Sequence, residues 1–154
     1  MAPNTATMGM ELCLAARQGD THAVAVWLDE GGGVDARCAE EDGMTLLMAA
    51  TAGGQEAMVR MLLQRGASVN LQDSFGFTAL MDAAANGHTR TVQALLDAKA
   101  DASLQANDGW TALMFAEHQK HTAAAQLLRQ HAKRQLAEAE PEAKVHAAAP
   151  LPHP

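Results

Sequence analysis

Two cysteines and a pair of closely spaced histidines are the residues of this 154-residue chain whose types could support metal binding or nucleophilic catalysis. His118 and His121 are spaced i, i+3 and could share a metal on one helix face, but a dedicated zinc site needs three or four convergent ligands. Cys13 and Cys38 have no CxxC pairing, and neither has a histidine and a carboxylate arranged beside it for nucleophilic attack. We therefore predict a protein that is not an enzyme and that holds no cofactor or metal.

The remaining candidates for chemistry are better explained by structure. The glycine run that starts at Gly31 follows a predicted helix, and no Lys-Ser/Thr comes after it, so it indicates a helix C-terminus and not a phosphate site. Cys13 is interpreted as a small buried residue and Cys38 as an exposed thiol in a loop.

The composition narrows the class of protein. Hydrophobic residues make up 48% of the chain but aromatic residues only 3%, which predicts a core of Ala, Leu, Val and Met and favours closely stacked helices. With 11 basic and 18 acidic residues and no Lys/Arg stripe, nucleic acid is disfavoured as a partner. Unpaired cysteines and the lack of a signal-like or membrane-spanning apolar run predict a cytoplasmic protein with no membrane partner. A nuclear location is not excluded by these features.

An internal repeat organises most of the chain. The segments Gly43-Met44-Thr45, Gly76-Phe77-Thr78 and Gly109-Trp110-Thr111 recur at a period of 33 residues. Residues 41–73 and 74–106 align without a gap at 13 of 33 identical positions, and an earlier copy aligns from Met10 at an offset of 35. Such a period is typical of solenoids, in which each unit contacts only its neighbours.

Each unit has the same local signals. A threonine that can cap a helix follows a glycine turn, as at Thr45, and apolar residues then keep helical spacing up to Gly53-Gly54. A second short helix ends near Gly66, and an extended stretch leads to the next turn. The sequence predicts an all-α repeat solenoid of stacked helix-turn-helix units with hairpin-like loops.

These units resemble the ankyrin repeat, whose cues are a 33-residue period and the motif T-P-L-H-x-A. The segments that start at Thr45, Thr78 and Thr111 match the motif at Thr, Leu and Ala, but they carry Leu or Ala in place of Pro and Met in place of His. In the family this histidine ties the loops together, so its loss puts the rigidity of the loops in question. The resemblance covers 10–132, as four repeats at 10–40, 41–73, 74–106 and 107–132.

The end units are expected to act as caps. The first repeat should present a polar outer face that carries Glu11, Arg17 and His22. In the last repeat Lys120 replaces the turn glycine and Ala132 replaces a helix-ending glycine, which predicts a final helix that runs on until Pro141. We expect 1–9 to be a flexible N-terminus and 133–154 to comprise this helical extension and a flexible tail.

A recurring methionine, present as Met48, Met81 and Met114, has two interpretations. It could form an adaptable binding surface. It stands, however, where the family has a semi-buried histidine, which favours packing between repeats.

The candidate binding site lies at the loop tips and the concave side, where the resemblance implies that partners bind. Large apolar residues stand between the turn glycine and the threonine, and they either anchor a partner or merely cover each other along the stack. Asp82 replaces Ala49 and Phe115 of the other repeats, so it is either solvent-facing or kept for a cationic group. The predicted contacts are Met44, Phe75, Phe77 and Trp110 as anchors, with Glu41, Asp42, Asp82, Asn86, Asp108, His118 and Gln119 as polar contacts.

The sequence therefore predicts a non-catalytic protein-protein interaction module of the adaptor type. An apolar strip inside an acidic rim favours a partner with a basic and partly apolar segment. Two alternatives stay open, namely a regulatory subunit that inhibits an enzyme by occluding it and a structural subunit of a larger assembly.

Overall fold

The computed structural model describes residues 7–139, with side chains for 9–137, as four consecutive helix pairs. The helices are α1 Met10–Gln18, α2 Thr21–Asp29, α3 Leu46–Ala52, α4 Glu56–Gln64, α5 Ala79–Asn86, α6 Thr89–Asp97, α7 Ala112–His118 and α8 Thr122–Ala139. The first helices of the pairs pack in one row, α1 on α3, α3 on α5 and α5 on α7, while the second helices α4, α6 and α8 form a parallel row behind them. The all-α repeat solenoid predicted from the sequence is the observed fold.

Two short strands close the N-terminal side of the stack. The strands β1 Thr7–Met8 and β2 Arg37–Cys38 pair in parallel, with Met8 opposite Cys38. Cys38 is fully buried, and its thiol lies beside that of Cys13 in α1. The expectation of an exposed thiol at Cys38 is therefore wrong, whereas the buried position predicted for Cys13 is confirmed.

The repeated threonines start the first helices, as their spacing predicted. The side-chain oxygens of Thr45, Thr78 and Thr111 accept hydrogen bonds from the backbone N–H groups of Met48, Met81 and Met114 at 3.3, 3.2 and 3.4 Å. Each bond satisfies one of the free N–H groups in the first turn of a helix. The cap fixes where each helix begins and therefore where the preceding loop tip points.

The core consists of the small and branched residues that the repeats share. Ala50, Ala83 and Ala116 are fully buried between neighbouring first helices, and Leu62, Leu95 and Leu128 are buried along the row of second helices. Full burial of a leucine side chain is worth about 1.5–3 kcal/mol. Met48 and Met81 are buried as well, which confirms packing between repeats, but Met114 is 44% exposed because no described repeat follows it.

The two ends of the stack differ from the expectations in one respect. The final helix α8 runs through Ala132 to Ala139, as predicted. In the first repeat Glu11 and His22 are exposed, as expected, but Leu14 and Val26 are exposed as well and Arg17 forms an ion pair with Glu41. The predicted stop at Pro141, the tail of 141–154 and most of the N-terminal stretch lie outside the described residues.

Candidate functional site

The loop tips are held in a fixed conformation by aspartates that bind their own turns. The Oδ1 atom of Asp73 accepts hydrogen bonds from the N–H groups of Phe75 and Phe77 at 2.9 and 3.0 Å. In the next loop, Asp108 accepts one from Trp110 at 3.1 Å. These turns orient the large side chains that stand just before the threonine caps.

Neighbouring loops are also tied to each other, although the motif histidine is absent. The N–H of Ser74 donates to the carbonyl of Asp42 at 2.8 Å, and the N–H of Asn107 donates to the carbonyl of Phe75 at 2.9 Å. The side-chain amide of Gln72 reaches the carbonyl of Gln105 at 2.9 Å. Backbone and amide groups therefore supply the connection between loops that the family's histidine would have made.

A pocket of about 320 Å³ opens between the loop tips of the second and third repeats. We call it the loop-tip pocket. Apolar side chains form one part of its wall and carboxylates the other. Its lining residues are Met44, Phe75 and Phe77 together with Glu40, Glu41, Asp42, Asp73 and Asp82. Six of the eleven residues predicted for the site are thus brought together in one place.

Asp82 is the carboxylate of the loop-tip pocket that lies in a helix and not in a loop. It lies in α5 and is largely buried in the wall, which raises its pKa from 3.8 to about 7, with a further increase from the nearby negative charge of Asp73. No described side chain pairs with its carboxylate as a cation. Asp82 is therefore a carboxylate in the pocket wall whose charge no described cation compensates.

Glu41 lies in the same pocket but already has a partner. The guanidinium of Arg17, on the last turn of α1, is 2.5 Å from its Oε2 and 3.4 Å from the sulfur of Met44. The hydrogen bond to Glu41 also raises the pKa of Arg17. Sequence reasoning missed this role, because the offset repeat alignment does not reveal which way a side chain at the end of α1 turns.

The aromatic side chains form a continuous row along the loop tips. Ring centroids are 6.0 Å apart for Phe75 and Phe77, 5.6 Å for Phe77 and Phe115, and 5.2 Å for Phe115 and Trp110. His118 extends the row with an edge contact to Trp110 at 5.2 Å. Phe77, Phe115 and Trp110 partly cover one another along the row, whereas Phe75 is 51% exposed. Phe115 was not among the predicted contacts, although it shares the register of Asp82.

The other predicted residues lie outside the loop-tip pocket. Asn86 is exposed at the end of α5, where its side-chain amide donates to the carbonyl of Asp82 at 2.9 Å. Asp108, His118 and Gln119 are exposed around the loop and helix end of the last repeat. They continue the surface toward α7 and do not line the pocket.

Of the residues that could support catalysis or metal binding, the two cysteines lie together in the core. Burial, and secondarily a hydrogen bond with the thiol of Cys38, raises the pKa of Cys13, which suits an unreactive thiol. Within residues 7–139, no cluster of three or more His, Cys, Asp or Glu side chains could hold a metal ion. None of the helices in this part of the chain is both long and apolar enough to cross a membrane.

Comparison with known families agrees with the geometry. A sequence profile described as ankyrin repeats, three copies, matches residues 12–106 and 58–144. The chain belongs to the ankyrin-repeat family. Members of this family generally mediate protein-protein interactions and are typically non-catalytic. No curated protein matches the chain significantly.

Proposed function

We propose that this ankyrin-repeat chain is an adaptor that binds a segment of another protein at the loop-tip pocket. The segment carries a lysine or arginine beside apolar residues. The observation that carries the proposal is the juxtaposition of Asp82, a largely buried carboxylate with no cationic partner, and Phe75, an aromatic ring that is half exposed.

The apolar part of the pocket supplies the anchoring surface. Phe75 is 51% exposed at the mouth, and the edges of Phe77 and Met44 stand behind it. Aromatic side chains at the centre of an interface contribute much of the binding free energy when they become desolvated. Contact with the ring of Phe77 restricts Phe75 before binding, so less conformational entropy is lost when a partner covers it.

The carboxylates supply the specificity for a positive charge. Asp82 and Asp73 raise each other's energy when both are ionised, and a cationic side chain placed between them would relieve that repulsion. Glu41 is neutralised by Arg17, so the carboxylates left for the partner are Glu40, Asp42, Asp73 and Asp82. With a net charge of −7 on the chain, the approach of a basic segment is electrostatically favoured and weakens with salt.

The remaining predicted residues extend the surface beyond the pocket. A bound segment that runs from the pocket toward the last repeat would pass Trp110, His118 and Asp108, and then Gln119. Asn86 borders the same path at the end of α5. We assign these residues secondary contacts, because they are exposed and do not surround a cavity.

The test is selection of a displayed library of random peptides against the wild-type chain. We expect the enriched peptides to contain Lys or Arg beside apolar residues, and their binding to weaken in high salt and in Phe75→Ser. Leu136→Ser is the matched control, because Leu136 is 60% exposed on α8 and far from the loop tips in sequence. Peptides without basic residues, or equal binding by Phe75→Ser, would overturn the proposal.

The identity of the partner then distinguishes an adaptor from an inhibitory subunit and from a structural subunit. Capture from a lysate of the source cells with wild type and Phe75→Ser side by side identifies proteins that depend on the pocket. If the captured protein is an enzyme whose activity falls on binding, the chain is an inhibitory subunit. If the isolated chain is poorly soluble and becomes soluble only with its partner, it is a structural subunit.

A further inference from the structure

The outer side of the first repeat carries a second apolar surface, separate from the loop-tip pocket. A groove of about 400 Å³ is lined by α1 and α2 alone, with Leu12, Ala15, Val26 and Trp27 among its walls. The equivalents of Leu12, Ala15 and Trp27 in the second repeat are Leu47, Ala50 and Leu62, which are buried in the stack. The groove is therefore a repeat-stacking face that no described residue covers, and we call it the N-terminal face.

The opposite end of the stack has its own open groove. It measures about 460 Å³ and is lined by α7, α8 and the turn between them, with Ala116, Ala125, Lys120 and the ion pair of Glu117 and Arg129 in its wall. We call it the C-terminal face. The two faces differ in charge. Glu11 and Glu30 line the N-terminal face, whereas at the C-terminal face Glu117 neutralises Arg129 and leaves the positive charge of Lys120, with Lys133 exposed one turn beyond Arg129.

One contact recurs between successive repeats and indicates how the two faces fit. The residue before each second helix lies against the turn glycine of the preceding repeat, so closely that an added Cβ at Gly87 would be 2.5 Å from His121 and one at Gly54 would be 3.0 Å from His88. Gln55 lies against Gly19 in the same way. Each step of the stack thus pairs a turn residue with a helix-start residue.

Both partners of this contact are altered at the ends of the molecule. At the C-terminal face the turn residue is Lys120, which has the same left-handed conformation as the glycines, with φ of 62°. At the N-terminal face the helix-start residue is Asp20, which is shorter than His or Gln and carries a negative charge. The extra bulk of Lys120 is matched by the smaller Asp20, and their charges are complementary.

From this juxtaposition we propose that the N-terminal face of one copy of the chain stacks on the C-terminal face of a second copy, with Asp20 beside Lys120. Glu11 and Glu30 then face the positive charges of Lys120 and Lys133. Pairing of two N-terminal faces would instead oppose like charges. Because the contact is head to tail, a dimer keeps one free face of each kind, and assembly continues with rising concentration.

Sedimentation equilibrium of the whole chain tests the assembly. For the 16.2 kDa protein we expect the mean mass to rise beyond that of a dimer as concentration increases, and to fall when salt is added. A mass that stays at the monomer up to high concentration overturns the proposal. A mass that stops at a dimer also overturns it, because it indicates pairing of like faces.

Two variants that each block one face make the test specific. Val26→Glu places a charge on the N-terminal face, where Val26 is already 38% exposed, and Lys120→Glu reverses the charge of the C-terminal face. Each variant alone should associate more weakly than the wild type, with a dissociation constant raised about tenfold or more. At concentrations where the wild type assembles, each should therefore be mainly monomeric. Mixed together, they should form a one-to-one dimer and nothing larger, because each retains the face that the other has lost.

Lys99→Glu is the matched control for the charge reversal. Lys99 is also an exposed lysine with a positive φ, of 73°, but it belongs to the third repeat and lines neither face. It should assemble like the wild type. Assembly that Lys120→Glu and Lys99→Glu weaken equally, or a mixture that stays monomeric, contradicts the proposal. Unchanged circular dichroism of each variant establishes that the chain is folded.

Discussion

Ala49 and Asp82 occupy the same position in successive repeats, but the first packs in the core and the second places a carboxylate in the wall of a pocket. Ala49 lies in α3 and is fully buried, and its small side chain lets neighbouring helices approach. Asp82 lies at the matching point of α5 but opens onto the loop-tip pocket, and burial raises its pKa to about 7. One backbone position thus serves packing in one repeat and carries a destabilising charge in the next.

The contrast between Ala49 and Asp82 shows where a charged side chain replaces a small apolar one in the repeat. Ionised carboxylates in a largely buried position reduce the stability of a protein unless a cation or hydrogen-bond donors compensate. At Asp82 the fold supplies a backbone position and an apolar wall but no cation. Groups with such perturbed pKa values cluster at functional sites, and Asp82 therefore makes the loop-tip pocket the candidate site of the stack.

The largest expected effect comes from making Ala49 resemble Asp82. Ala49→Asp places an uncompensated charge in the closed interior and should lower the free energy of unfolding by about 3–5 kcal/mol at pH 8. Urea denaturation measures this loss. Ala49→Asn is the control for volume, and the two variants should become similar at low pH, when the introduced carboxylate is protonated. Equal losses for Asp and Asn at pH 8 would mean that bulk and not charge is responsible.

Removing the charge at Asp82, in Asp82→Asn, should instead raise the free energy of unfolding. The pKa of Asp82 in the folded chain is about 7, against 3.8 for an unperturbed carboxyl group. Between these values the folded state binds more protons than the unfolded state, so stability falls as the pH rises. The penalty is absent below about pH 4 and complete above about pH 7, where the pKa difference corresponds to on the order of 4 kcal/mol.

Asp82→Asn should therefore stabilise the chain at pH 8 and leave its stability unchanged at pH 4. Urea denaturation of wild type and variant at several pH values checks both the sign and the window. Asp108→Asn serves as the control, because Asp108 is exposed and an amide oxygen can still accept the hydrogen bond from Trp110. A stabilisation that does not depend on pH would exclude ionisation of Asp82 as its cause.

Much of the fold could be predicted from the sequence because the repeat encodes it locally. The threonines at the caps, the glycines with positive φ and the alanines between first helices each act within one repeat or between neighbours. Such short-range signals recur every 33 residues, so the structure predicted for one repeat applies to the others. The long final helix followed from a missing glycine at Ala132 in the same way.

The parts that sequence reasoning missed depend on contacts between distant residues. Cys38 is buried beside Cys13 of α1, and β1 pairs with β2; neither contact has a local signal in the sequence. Arg17 turns inward to meet Glu41, 24 positions along the chain. The apolar and acidic residues of the pocket were recognised individually, but their arrangement around Asp82 follows from the stacking of two loops.

The smallest expected effect concerns Glu41, the carboxylate of the pocket that does have a cationic partner. Glu41→Gln should lower the free energy of unfolding by about 0.2–1 kcal/mol, since ion pairs that are partly exposed contribute little. The sign is opposite to that of Asp82→Asn, although both changes remove one negative charge from the same pocket. Urea denaturation at pH 8 and low salt measures the difference.

A double-mutant cycle with Arg17→Gln assigns the loss at Glu41 to its ion pair. If the pair carries the effect, the double variant should lose less than the sum of the two single variants, and the coupling should shrink in high salt. If Glu41→Gln instead stabilises the chain, the repulsion among the carboxylates of the pocket outweighs the pair with Arg17. Asp82 would then be costly because of its neighbours' charges more than its burial, and its pKa should fall in Glu41→Gln.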